Sequence, residues 1–388
     1  MSVTSATGFR ACGVTAGLKA SGKPDLALVV NDGPLHVGVA VFTSNRFAAA
    51  PVLWSRQVVA DGEVRAVVLN SGGANACTGP EGFADTHHTA EKVAGALTIA
   101  GHETGPGDVV VCSTGLIGER LPMDLLLPGV DSAVGGLSDD GGPAAAVAIM
   151  TTDTVPKTAV ASRDGVTVGG MAKGAGMLAP ALATMLVVVT TDAVVDAATA
   201  DRVLRAATAQ TFDRIDSDGC MSTNDTVLLM ASGASGATLP EDVLTGLVTD
   251  VCADLALQLI GDAEGATKDI AVTVVHAASE ADAVTAARSV ARSNLLKCAI
   301  HGEDPNWGRI LSAVGTTDAR FEPDRVDVAI NGVWVARGGA AGESRDLVDM
   351  TGRTARIVVD LAAGRDTATV WTNDLTADYV HENSAYST

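Results

Sequence analysis

The apolar positions of this chain fall in short blocks, and the period within each block predicts alternating strands and helices. Branched, nearly unbroken runs predict strands at Leu26–Val30, Val37–Phe42, Val64–Asn70 and Val109–Cys112. Helical spacing predicts Asp85–Ala100 and, after a Gly-Gly-Pro turn, Ala144–Met150. A second set follows: strand Met185–Val189, helix Ala197–Thr211, strand Thr226–Met230 and a long helix, Pro240–Ile260. Then come strand Ile270–His276, helix Glu280–Ser293 and short strands near Val326–Ile330, Arg356–Asp360 and Thr367–Thr372. The stretch His301–Arg309 is dense in turn formers and predicts a loop early in a smaller carboxyl-terminal region. The alternation predicts an α/β (or α+β) protein with helices layered on sheets, and 388 residues suffice for two or three domains.

Composition narrows the function. Hydrophobic content of 47% against 19% charged residues is globular, and an aromatic share of 3% leaves the core to Val, Leu, Ala and Ile. A formal net charge of −20 argues against a nucleic-acid partner, whose phosphates need Lys and Arg stripes. No uncharged apolar run reaches the length of a membrane span, and the first residues carry neither a basic nor an apolar secretory segment. Six cysteines, none in a Cys-x-x-Cys pair, predict reduced and mostly buried thiols in the cytoplasm rather than a zinc site.

The segment from Lys173 to Asp192 changes the picture most. A Gly- and Pro-containing loop, Lys173-Gly-Ala-Gly-Met-Leu-Ala-Pro-Ala-Leu-Ala, runs into Thr184 and then into the buried strand expected at Met185–Val189. Read from the residues alone, Thr184 is either a β-former opening a strand or a nucleophile. Threonine needs a base to be nucleophilic. A chain cut just before it would supply one, because the new α-amine has an unperturbed pKa of about 7.7–8.0. A second candidate is Val109–Gly118, a strand that breaks into a small-residue turn. There the Thr114 hydroxyl and the Gly115 N–H could hold an oxyanion, or simply form a strand-to-loop turn.

The junction resembles the self-cleavage site of the ornithine acetyltransferases, the ArgJ-type glutamate N-acetyltransferases. Their lysine-glycine-small-glycine-methionine, proline, alanine-threonine-methionine-leucine and threonine-threonine-aspartate features all occur here. The likeness extends from Gly8-Phe-Arg-Ala-Cys-Gly through Phe42-Thr-Ser-Asn-Arg46 to the last residue. It implies scission between Ala183 and Thr184, giving fragments 1–183 and 184–388 of 183 and 205 residues. It implies a helix-sheet-sheet-helix layered sandwich resembling the L-aminopeptidase/D-amidase fold. That unit, residues 1–275, would be followed by a smaller α/β domain, residues 276–388, whose tail reaches the active site. It implies Thr184 as nucleophile and base, Thr114 and Gly115 as oxyanion hole, and Thr151, Lys173, Thr184, Glu264, Asn383 and Thr388 as substrate contacts. Transfer of acetyl from N-acetylornithine to glutamate would need no cofactor or metal, with two copies of each fragment in a heterotetramer.

The rivals are an amidase or aminopeptidase using the same threonine, and a non-catalytic amino-acid-binding protein. Other motifs carry less. The glycine-rich loops Leu69–Gly79 and Gly169–Gly176 lack the spacing or the following helix of nucleotide-binding loops. Asp85 with His87 and His88 reads as a helix N-cap with solvated imidazoles. Asp216–Asp225 resembles a calcium loop only loosely and reads as a structural loop.

Overall fold

The computed structural model of the protein describes residues 2–178 and 185–385. The chain opens with β1 (Phe9–Val14), β2 (Leu26–Asn31), β3 (Val37–Phe42), α1 (Ala50–Val58), β4 (Ala66–Ser71) and α2 (Gly79–Ile99). It continues through β5 (Val109–Thr114), α3 (Met123–Gly135), α4 (Gly142–Ala148), β6 (Lys157–Arg163), β7 (Val166–Lys173) and β8 (Leu186–Thr191). Next come α5 (Ala197–Gln210), β9 (Thr226–Ala231), α6 (Glu241–Gly261), β10 (Asp269–Ala277), α7 (Glu280–Ala291), α8 (Asn294–His301) and α9 (Trp307–Val314). Strands β11 (Asp327–Ile330), β12 (Val333–Arg337), β13 (Ala340–Ala341), β14 (Thr354–Asp360) and β15 (Asp366–Asn373) precede the final helix, α10 (Ala377–Ala385).

Two sheets face one another. One has the order β1-β2-β4-β5, the other β3-β9-β8-β7-β6. Because side chains alternate across a strand, a strand buried on both faces reads as a nearly continuous apolar run. β8 is such a strand over Leu186–Val189, and the buried Thr190 and Thr191 that end it donate to the Val3 and Thr167 carbonyls. Leu186 and Val188 join Met171, Leu228 and Met230 in the core between the sheets, beside Val67, Leu69 and Val110 of the opposing sheet. Val187 and Val189 point the other way, into a core with α5 and α6. The outer face of the first sheet, with Leu28, Val68 and Val111, is covered by α2 and α3. The result is a helix-sheet-sheet-helix sandwich, the layered α/β arrangement expected above. Each fully buried Val or Leu contributes roughly 1.5–3 kcal/mol to holding these layers together.

A third sheet, β13-β12-β11-β14-β10-β15, has its own core with α7, α8 and α9. Helix α6 is apolar and long enough to cross a membrane by composition. Its Leu247, Val251, Leu255 and Leu259 instead pack against the second sheet.

Several expectations need correction. His301–Arg309 is not one loop: His301 ends α8, and Trp307 begins α9 with the Asn306 side chain accepting from Arg309 N. Asp85 is no N-cap, since α2 starts six residues earlier. Its buried carboxylate instead takes a bidentate Arg120, at 2.7 and 2.8 Å. His87 stacks on Trp54 at 4.9 Å. Only half of the cysteines are buried, Cys12, Cys112 and Cys252, and none is paired. The β6–β7 hairpin was not expected. Its turn, Asp164-Gly165, has both residues at positive φ, the conformation that an Asp-Gly pair favours in a two-residue hairpin.

Candidate active site

β5, β7 and β8 end or begin at the same edge of the two sheets, and a cleft opens there. Thr114, Gly115, Thr151, Lys173, Glu264 and Asn383 all line it, joined by Thr152, Met177 and Asn224. These residues lie far apart in sequence and meet only because both sheets and the tail helix converge on this edge. Ala183, Thr184 and Thr388 lie outside the described residues. Met185 is described, and β8 begins directly after it.

Thr114 closes β5. Its carbonyl accepts from Gly72 N at 2.9 Å and Gly73 N at 3.0 Å, which pins the turn. Gly115 follows at φ 134°, and a Cβ there would stand 2.5 Å from Gly73 N, so no other residue fits. Lys173 ends β7 rather than sitting in a solvated turn. Its Nζ is buried and donates to Thr114 Oγ1 at 3.2 Å. Burial pushes the Lys173 ammonium below its usual range; Asp153, Asp225 and Glu264 oppose the shift, and Lys157 adds to it.

Asp153 organises the floor. It accepts from Lys157 Nζ at 2.6 Å and from the Gly174 and Thr151 N–H groups at 2.7 and 2.9 Å. Burial pushes its carboxyl up, but Lys173 and Lys157 outweigh that and hold it at about 2. Glu264 forms the opposite wall. Oε1 accepts from Thr152 Oγ1 at 2.8 Å and Oε2 from Asn383 Nδ2 at 3.0 Å, which brings α10 onto the cleft. Gly176 allows this approach, because a Cβ there would lie 2.7 Å from the carboxylate. The cleft therefore has one buried cation, one carboxylate on the far wall and hydroxyls between them. Such a site suits a ligand bearing both charges. Among the described residues no group of three or more His, Cys, Asp or Glu is placed to hold a metal ion.

Sequence reasoning passed over Asn224 and Asp225, at the end of the polar stretch read as a structural loop. Both are buried. The Asn224 amide donates to the Ala74 and Ser113 carbonyls at 2.6 and 2.8 Å. Asp225 Oδ1 accepts from Met185 N at 3.0 Å. Burial pushes the Asp225 carboxyl well above the usual range, with the Met185 N–H and Lys173 opposing. The available signal was position: both stand directly before β9, a strand apolar at nearly every residue.

A model described as the ArgJ family matches residues 10–388. The chain is 69% identical over 387 residues to the "Arginine biosynthesis bifunctional protein ArgJ" of Streptomyces coelicolor, covering 100% of both chains. It is 63% identical over 388 residues to the protein of that description from Thermobifida fusca, again covering 100% of both. Among solved structures it is similar to ornithine acetyltransferase complexed with ornithine from Mycobacterium tuberculosis. The identity is 60% over 48% of this chain and 96% of that one, with a TM-score of 0.46. The chain belongs to the ArgJ family.

Proposed function

We propose that the protein is a glutamate N-acetyltransferase of arginine biosynthesis that moves acetyl from N2-acetylornithine to glutamate through an acetyl-threonine. One observation carries this reading. Thr114, Gly115, Thr151, Lys173, Glu264 and Asn383 line a single cleft, and Lys173 pairs with Leu186, two residues after Thr184. In maturation, Thr184 Oγ attacks the Ala183 carbonyl carbon, the C–N bond breaks, and the acyl group passes to oxygen. Water then releases the Ala183 carboxylate and leaves Thr184 with a free α-amine.

In turnover that amine takes the Oγ proton as Oγ attacks the acetyl carbonyl. Thr114 Oγ1 and the Gly115 N–H stabilise the oxyanion, and the proton passes to the departing amine of ornithine. The amine of glutamate then attacks the ester and restores Thr184. Lys173 attracts a substrate carboxylate and Glu264 a substrate amine. One amide is broken and one is made, so the balance closes without a cofactor, and the relay predicts ping-pong kinetics. In the same reading two copies of each fragment assemble as a heterotetramer. The same reading keeps a smaller carboxyl-terminal unit, supported by the third sheet, whose first strand along the chain is β10.

The test is intact mass analysis together with a transfer assay. Wild-type protein should give fragments of 183 and 205 residues. Thr184→Ala should stay whole and inactive. Uncut wild type that still transfers acetyl would refute the amine-as-base mechanism, and release of free acetate in place of acetylglutamate would make the protein an amidase. The curated relatives are described as bifunctional. Acetyl-CoA is therefore assayed as a second donor.

A further inference from the structure

Asn224 and Asp225 are adjacent in sequence, yet their side chains engage the two halves of the proposed machinery. Asn224 is 4% exposed. Its Nδ2 gives one hydrogen to the Ser113 carbonyl, on the residue before Thr114, and the other to the Ala74 carbonyl. Ala74 N in turn donates to the Leu116 carbonyl at 2.9 Å, so the amide clamps both sides of the Thr114–Gly115 turn. Its Oδ1 is occupied by Thr223 Oγ1 at 2.6 Å. Both amide hydrogens of Asn224 are thus given to protein carbonyls, and none is left for substrate.

Asp225 engages the other half. Its Oδ1 holds the Met185 N–H, the peptide that joins Met185 to Thr184. The parallel pairing of Leu186 with Thr226 continues from that contact. Its Oδ2 is buried without a hydrogen-bond partner among the described residues. The Thr43 hydroxyl, which donates to the Ser222 carbonyl at 2.7 Å, and the Ser222 hydroxyl, which accepts from Asn224 N at 3.1 Å, both lie beside this carboxyl. Burial pushes the Asp225 carboxyl up, while the Met185 N–H, Lys173 and the Thr43 and Ser222 hydroxyls oppose that push.

We propose that Asn224 and Asp225 are a positioning couple. Asn224 fixes the oxyanion turn, Asp225 as a buried acceptor fixes the peptide after Thr184, and the single backbone step between them sets the spacing of donor and nucleophile. The inference rests on the acyl-transfer reading of the site. In that reading both residues act through the backbone groups they hold.

The experiment measures the cleaved fraction over time, kcat and KM for acetylornithine and glutamate, and thermal melting, in wild type and in each variant. Asn224→Ala should lower kcat about 10–100-fold, the scale on which misplaced donors act, while both KM values stay within about twofold. Asp225→Ala should slow self-cleavage by a similar factor. Asp225→Asn, which keeps the oxygen and removes the charge, should recover at least about tenfold of that loss. Alanine variants that cut and turn over at wild-type rates would overturn the couple, and Asp225→Asn as slow as Asp225→Ala would overturn the role of the acceptor oxygen as anchor. If Asn224→Ala does not fold, Asn224→Gln decides: it keeps the donors on a longer arm, and wild-type kcat in it overturns the claim. A wild type that neither cuts nor transfers would instead remove the acyl-transfer reading itself.

Discussion

Lys157 and Lys173 stand at the same end of two paired strands, and both are buried, at 0% and 1% exposure. They differ in what surrounds the ammonium. Lys157 Nζ lies 2.6 Å from Asp153 and 2.6 Å from Asp262, so its charge is saturated within the protein. Among the described residues Lys173 Nζ bonds only the neutral Thr114 hydroxyl, and no carboxylate there lies within salt-bridge distance. A buried cation bonded to two carboxylates fixes three segments of chain. One left without direct neutralisation keeps its field for a ligand. Asp153 serves both: it binds Lys157 directly and steadies Lys173 through the Gly174 N–H and its nearby charge.

The comparison can be broken by removing each ammonium in turn. Lys157→Met strands Asp153 and Asp262 without their cation, and losing one partner of a buried pair costs about 3–5 kcal/mol. Urea unfolding should show that loss. Lys173→Met removes a charge that no carboxylate directly neutralises, so stability should stay within about 1 kcal/mol of wild type. Its cost should appear in substrate binding, as a KM raised by the equivalent of about 1.5–3 kcal/mol, the worth of a charged hydrogen bond. Equal destabilisation in the two variants would show that the lysines play the same role.

Acid titration sharpens the point. The folded protein holds Asp153 at about 2, against an ordinary value of 3.8, because Lys173 and Lys157 outweigh the upward push of burial. A depressed folded value contributes stability that is fully present above the unfolded value and is lost as pH falls through the folded one. The window is therefore from about pH 4 down to about pH 2, and the loss is about 2 kcal/mol. Unfolding free energies measured across this range should fall in wild type. In Lys157→Met the limb should be shallower, since one of the two cations depressing Asp153 is gone.

How much of this was legible in advance differs by element. β8 was readable because it is buried on both faces and therefore apolar from Leu186 to Val189. The β6–β7 hairpin was missed although Asp164-Gly165 marks its turn, because Gly169, Gly170 and Lys173 interrupt the apolar pattern of β7. Lys173 itself reads as a solvated turn residue, since nothing local shows that a lysine beside glycine ends a buried strand. Thr151, Lys173, Glu264 and Asn383 were named through resemblance, whereas Thr114 and Gly115 were open candidates from the strand-to-turn break alone. No periodicity relates positions that only the meeting of two sheets and a tail helix brings together. Asn224 and Asp225 escaped for the converse reason, since a buried amide and a buried carboxyl in a polar stretch look like surface residues until their partners are seen.

The smallest effect concerns the wall opposite Lys173. The resemblance names Thr151 as a substrate contact. Thr151 N donates to Asp153 at 2.9 Å, whereas the Thr152 hydroxyl is the one bonded to Glu264, at 2.8 Å. Glu264 is thus oriented by Thr152 from one side and Asn383 from the other. Thr152→Val keeps the shape and removes one neutral-to-charged hydrogen bond while Asn383 remains, so the cost should be about 1 kcal/mol, or roughly fivefold in KM. The effect should fall on the substrate whose amine Glu264 receives, with kcat nearly unchanged. Thr151→Val, which leaves the Thr152 hydroxyl in place, should alter KM less if orientation of Glu264 is what matters. The reverse order would mean that a substrate atom, not the carboxylate, is the partner that this pair of threonines serves.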